Sequence, residues 1–349
     1  MKEKMKPSER VMAVLNGEEP DFTPFTIYEI LIKKEQRKSL YEKGLCIVNR
    51  VCSYEIKYNC KVEEYSEPAG ENTQKVTRIY KTDAGDLRSV SMCRPDTSWT
   101  VEYLFKDESD YPKLISLIRS MYPQENYGAV LSLQNALNPD YNVIRDQIPL
   151  EPMQKVILEF MGTETFCYEW MDNRDEIMKL CEEIRKFNRK VYPIVARSPL
   201  AFCNYGGNVM PEVIGAKTFR ELYIPDYLEA AEEVHRFGKK IGCHFDSNNS
   251  LILSDFQNTG LDYIEAYDLG MNPSLSEFAK VCDKTVWLNF PSAWQVHSLK
   301  DIYRETAEIL ADARNVSALI VGITEDVDEK RIVENSEQIL KAISEVKRR

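Results

Sequence analysis

His244, Asp246, Glu265, Asn289 and Glu325 stand at the ends of four short apolar runs. The runs are Lys240-Ile241-Gly242-Cys243-His244-Phe245-Asp246, Ile264-Glu265, Leu288-Asn289 and Ile323-Thr324-Glu325-Asp326. An apolar run that opens abruptly into an imidazole, a carboxylate or an amide reads as a buried strand whose tip lines a pocket. If the four tips meet, one imidazole lies among several carboxylates. Such a set can hold a metal cation or move protons. His244 and Asp246 are two residues apart, so both can face one side of an extended segment.

Each residue also has a plainer reading. His244 could be a hydrogen-bonded core histidine, but the three other polar tips favour a functional role. Asp246 could cap a following helix through Ser247 or Asn248, and Glu265 could sit in a rim salt bridge. Glu325 and Asp326 suit the start of a last helix. Glu325 and Glu265 are the candidate acid/base groups. Tyr28, Asn208 and Asn289 read as polar groups lining a cofactor or substrate pocket. Cys203 is an alternative ligand. Cys243, His235 and His297 read as structural.

Positioning these tips requires parallel strands. Short apolar strands are expected at 25–28, 200–204, 240–245, 263–266, 285–289 and 318–323. Amphipathic helices are expected at 225–237, near 250–258, from Ser274, from Ser298 and over 328–347. The patterns Ser274-x-x-Glu277 and Ser298-x-x-Asp301 mark two of the helix starts. This alternation predicts βα units, and over 349 residues it predicts an α/β fold: a (β/α)8 TIM barrel, as one domain over 1–349. A helix over 7–20 forms an N-terminal extension. Residues 30–60 read as helical, 107–125 as a helix, 127–132 as a short strand and 134–150 as a loop. Helices are expected at 153–161 and 173–193. Residues 73–106 differ: Lys75–Tyr80 and Leu87–Met92 flank Asp83-Ala84-Gly85-Asp86, a hairpin signature, and a further strand covers Trp99–Phe105. A small antiparallel β insertion is expected there.

The net charge of -11 argues against non-specific nucleic-acid binding. No apolar run reaches membrane-span length, and Met1-Lys2-Glu3-Lys4-Met5-Lys6 lacks a signal peptide's apolar core, so a cytoplasmic location is expected. Nine cysteines without C-x-x-C pairs read as free thiols.

Several segments together resemble the uroporphyrinogen decarboxylase superfamily, nearly end to end. They are Glu9-Arg10-Val11-Met12-Ala13-Val14-Leu15-Asn16-Gly17-Glu18-Glu19-Pro20-Asp21, Gly207-Asn208-Val209, Gly238–His244 and Thr324-Glu325-Asp326-Val327. His244-Phe245-Asp246, Ile264-Glu265-Ala266 and Asn289-Phe290-Pro291 look most like the corrinoid-dependent, O-demethylase-type methyltransferases. The resemblance implies transfer of methyl between a small methylated substrate or thiol and a corrinoid protein. It also implies zinc held by His244, Asp246 and Glu325, where related thiol methyltransferases use a His-x-Cys pair and a later Cys. Oxygen ligands are acceptable to zinc. The alternatives are a decarboxylase and a non-catalytic barrel that binds a ligand or partner. The Arg-rich loop of true decarboxylases is absent after Tyr28, and the sequence offers no Arg/Lys cluster for the barrel mouth.

Overall fold

The computed structural model describes residues 4–95 and 97–346. Met1–Glu3 and Lys347, the last residue of the expected terminal helix, lie outside them. Eight parallel strands close a barrel. They are β1 (Phe25–Tyr28), β2 (Leu45–Arg50), β3 (Asn142–Ile148), β4 (Phe202–Tyr205), β5 (Lys240–His244), β6 (Tyr263–Asp268), β7 (Thr285–Asn289) and β8 (Leu319–Ile323). The order around the barrel is β1-β8-β7-β6-β5-β4-β3-β2 and back to β1, so every chain neighbour from β1 to β8 is a spatial neighbour. This is the expected (β/α)8 barrel.

Strands buried on both faces need apolar residues throughout, which is why these runs are short and rich in Ile, Val, Leu and aromatics. Cys46, Val48, Val143, Phe202, Tyr263, Trp287 and Ile320 belong to one buried cluster with the Tyr28 ring. Helix α1 (Pro7–Leu15) adds Val11, Val14 and Leu15 to that cluster. Trp287 keeps its one polar atom satisfied by donating to Thr26 Oγ1 at 3.0 Å. The helix starts behave as the spacing predicts: Ser274 accepts from the Glu277 N–H, and Ser298 accepts from that of Asp301.

Four expectations in the first half are corrected, the first being the helix over 107–125, which stops at Ser120 before a strand at Met121–Glu125. Residues 30–60 hold a helix only at Lys34–Tyr41, followed by β2 and a strand at Tyr54–Tyr58. Leu45-Cys46-Ile47-Val48 is an apolar run with no period, which cannot be told from a helical segment by pattern alone. Residues 127–132 open the helix Tyr127–Ala136. The polar stretch 134–150 contains barrel strand β3.

By contacts the chain divides into two units, 1–53 with 127–147 and 195–349, and 54–126 with 148–194. The first holds the barrel. The second holds an antiparallel sheet of four strands, Lys61–Pro68, Gln74–Thr82, Gly85–Cys93 and Ser98–Glu102, which contains the expected hairpin and begins before residue 73. Among the described residues no helix is long and apolar enough to cross a membrane.

Gly242 lies in the strand that ends at His244, and a Cβ there would come within 2.1 Å of the Tyr263 ring. Gly242→Ala is therefore expected to destabilise the fold by about 2 kcal/mol. A urea midpoint unchanged from the parent would contradict this packing.

Candidate metal centre

The parallel register of β5 and β6 sets His244 directly beside Glu265. His244 ends β5 at the barrel mouth, whereas Glu265 lies inside β6, not at its tip. His244 Nδ1 lies 3.3 Å from Glu265 Oε2 and 3.3 Å from the Tyr28 hydroxyl. On the other edge of the ring, Nε2 lies 3.0 Å from Glu325 Oε1 and 3.8 Å from Asp246 Oδ2. One ligand atom from each of His244, Asp246 and Glu325 falls within 4.8 Å of the other two. Among the described residues this is the one such trio. The side chains are 14%, 26% and 39% exposed, so solvent reaches them. Glu265 is fully buried behind the ring.

The loops that carry these groups are braced. Asn249, fully buried, donates to the Phe245 and Ser247 carbonyls and to Asn272 Oδ1, while Asn272 donates back to the Ser247 and Asp268 carbonyls. That network shapes the turn after Asp246, so Asp246 caps no helix. Asn289 accepts from the Thr324 N–H at 2.9 Å and donates to Asp268 at 3.0 Å. It positions the residue before Glu325. Glu329 and Arg331 anchor the far side of the same loop, Glu329 to Lys33 at 2.5 Å and Arg331 to the carbonyls of Val296 and His297.

Asn208 adopts a left-handed backbone (φ 57°), and its N–H donates to the His244 carbonyl at 3.0 Å, while its side chain is exposed. Cys203 is buried on β4 outside the trio. His235 and His297 pair with Asp262 and Glu305, each at 2.8 Å.

Neither a family model nor a curated protein matches the sequence. The fold is shared with a methyltransferase from Methanosarcina mazei. The two chains are 12% identical and align over 98% of this chain and 99% of that one, with a TM-score of 0.60.

Arg145 is the principal residue that sequence reasoning missed. It rises from β3, a stretch read as loop, and its Nη1 donates to the Tyr28 oxygen at 2.8 Å and to both Glu265 oxygens. The pair is enclosed, with side chains 5% and 0% exposed. Asn204 donates to Glu265 Oε2 at 2.6 Å, and Tyr263 fixes Asn204 by donating to its Oδ1 at 2.6 Å. Arg50, also missed, ends β2 with its guanidinium 4.5 Å from the centre of the Tyr28 ring and bonded to Glu29. The mouth thus has two arginines where the sequence offered none, but each faces a carboxylate. With those pairs neutralised, two carboxylates remain beside one imidazole.

Burial drives the Glu265 carboxyl upward, but Arg145 and the His244 hydrogen bond outweigh it and hold it at about 2. Burial lowers His244, and its bonds to Glu265 and Glu325 outweigh that, raising it to about 9. Burial, with Glu325 nearby, pushes Asp246 up despite His244.

A carboxyl held at about 2 when folded and near 4.3 when unfolded stabilises the protein above the higher value and loses that contribution as the pH falls toward the lower. Glu265→Gln, which leaves Arg145 without its counter-charge, is expected to cost about 3 kcal/mol at neutral pH. The parent should also lose stability more steeply than the variant between about pH 4 and pH 2. Parallel urea-midpoint profiles of the two proteins would contradict this.

Proposed function

We propose that the chain is a metal-dependent methyltransferase that moves a methyl group between a small methylated substrate or thiol and a corrinoid carried by a partner protein in the cytoplasm. The observation that carries this reading is the convergence of His244 Nε2, Asp246 and Glu325 at the barrel mouth. Likeness of fold to a protein described as a methyltransferase supports the reaction class.

The donor set fits a divalent cation, and zinc accepts all three ligand types. Three protein ligands leave a position for substrate, as catalytic rather than structural zinc sites do. Among the described residues, Asp246 and Glu325 pair with no arginine or lysine, and two such carboxylates match the cation's charge. When bound, such a cation supplies Lewis acidity toward an ether oxygen or a thiol sulfur.

The protein's own groups do the rest. His244 presents Nε2 and is held from behind at Nδ1. Glu325, the most exposed of the trio, is the group placed to exchange a proton with solvent or with the departing oxygen. Tyr28 and Arg50 wall one side of the mouth. Ile30, Leu251, Met271 and Val296 are exposed, one on each loop that follows β1, β5, β6 and β7. Large apolar side chains on four loops at one end of the barrel suit a protein partner that delivers a bulky cofactor there.

Purified full-length protein is expected to hold about one zinc per chain by elemental analysis, and His244→Ala is expected to lose it. Zinc-loaded parent should convert reduced cobalamin to methylcobalamin, followed by absorbance, with some member of a panel of methyl ethers and methyl thioethers. Zinc retained fully by His244→Ala, or no zinc after reconstitution, would contradict the reading.

A further inference from the structure

Two groups compete for Nδ1 of His244, the Tyr28 hydroxyl and Glu265 Oε2, both at 3.3 Å. They have opposite consequences. A phenol donating to Nδ1 would leave the neutral ring's proton on Nε2, the nitrogen that faces Asp246 and Glu325. A carboxylate accepting at Nδ1 places the proton there and leaves the Nε2 lone pair free.

Arg145 touches both competitors. It donates to the Tyr28 oxygen and to both Glu265 oxygens. Both Glu265 oxygens accept from its guanidinium, which holds that carboxylate as a charged acceptor. Arg145 is itself incompletely satisfied, since its buried Nε has no partner. A buried donor left unmatched is destabilising, so the guanidinium sits where stability alone would not place it.

We infer that Arg145 is a positioning residue that, through Glu265 and Tyr28, fixes the proton of His244 on Nδ1 and so reserves Nε2 for the cation. This rests on the metal reading above and goes beyond it, because Arg145 touches neither cation nor substrate.

The test uses full-length protein and zinc alone. Zinc affinity is measured by competition with a coloured chelator, and the ring nitrogens by long-range proton–nitrogen spectra of histidine-labelled, zinc-loaded protein. The chain has only three histidines, so His244 can be assigned. The parent should show zinc on Nε2 and a proton signal on Nδ1. Arg145→Met should bind zinc about 10–100-fold more weakly and displace or lose the Nδ1 proton signal. Arg145→Lys, which keeps the charge, should recover most of the affinity and the signal. If Arg145→Met does not fold, the double variant Arg145→Met/Glu265→Gln, which buries no unpaired charge, replaces it with the same expected loss. Parent-like affinity and ring signals in a folded Arg145→Met or double variant would overturn the inference while leaving the metal reading intact. Absence of zinc binding by the parent would overturn both.

Discussion

The Arg145–Glu265 ion pair is the constraint on which the rest of the mouth depends. A carboxylate with no solvent exposure carries a desolvation penalty of several kcal/mol, and removing its partner leaves that penalty unbalanced. The pair lies between two regimes. Toward the start of the strands, Phe202, Tyr263, Trp287 and Ile320 fill the barrel with hydrocarbon and rings. Toward the strand ends stand His244, Asp246 and Glu325. The buried pair lets a charged acceptor stand at that boundary, against the back of an imidazole.

Geometry follows from register. Parallel pairing puts residue 244 opposite 265, and no loop has to find that arrangement. The pairing of β6 with β7 slips between Glu265 and Tyr267, where Ala266 takes a left-handed conformation (φ 60°). Asn208, the other left-handed residue near the site that is not a glycine, bonds to the His244 backbone. Strained backbone on both sides of one histidine is usual where a site over-determines its surroundings. The asparagine braces at 249, 272 and 289 do the same for Asp246 and Glu325 by engaging loop backbone that would otherwise move.

Much of this was legible in the sequence, and the exceptions have physical causes. The second half of the barrel alternates cleanly, and its strand tips announce themselves because an apolar run ending in His or Glu is unusual. His244, Asp246 and Glu325 were found that way, while Glu265, read as a tip, lies inside β6. The first half hid two strands. Leu45–Val48 lacks any period, and Asn142–Ile148 carries Asn142, Arg145, Asp146 and Gln147 in seven residues, which reads as loop. Its polarity is that of a strand facing the mouth on one side, where Arg145 finds Glu265 from 120 residues away. Local pattern cannot supply so distant a counter-charge. The usable signal was reciprocal: Glu265, in an otherwise apolar run, required a cation, and Val143-x-Arg145-x-Gln147 has the alternation to deliver one.

The direct measurement is anomalous diffraction at the zinc absorption edge from crystals of the zinc-reconstituted protein. One peak is expected in the barrel mouth, about 2.0–2.2 Å from His244 Nε2 and from one oxygen each of Asp246 and Glu325. A mouth without a peak, or zinc bound through other side chains, would contradict the account.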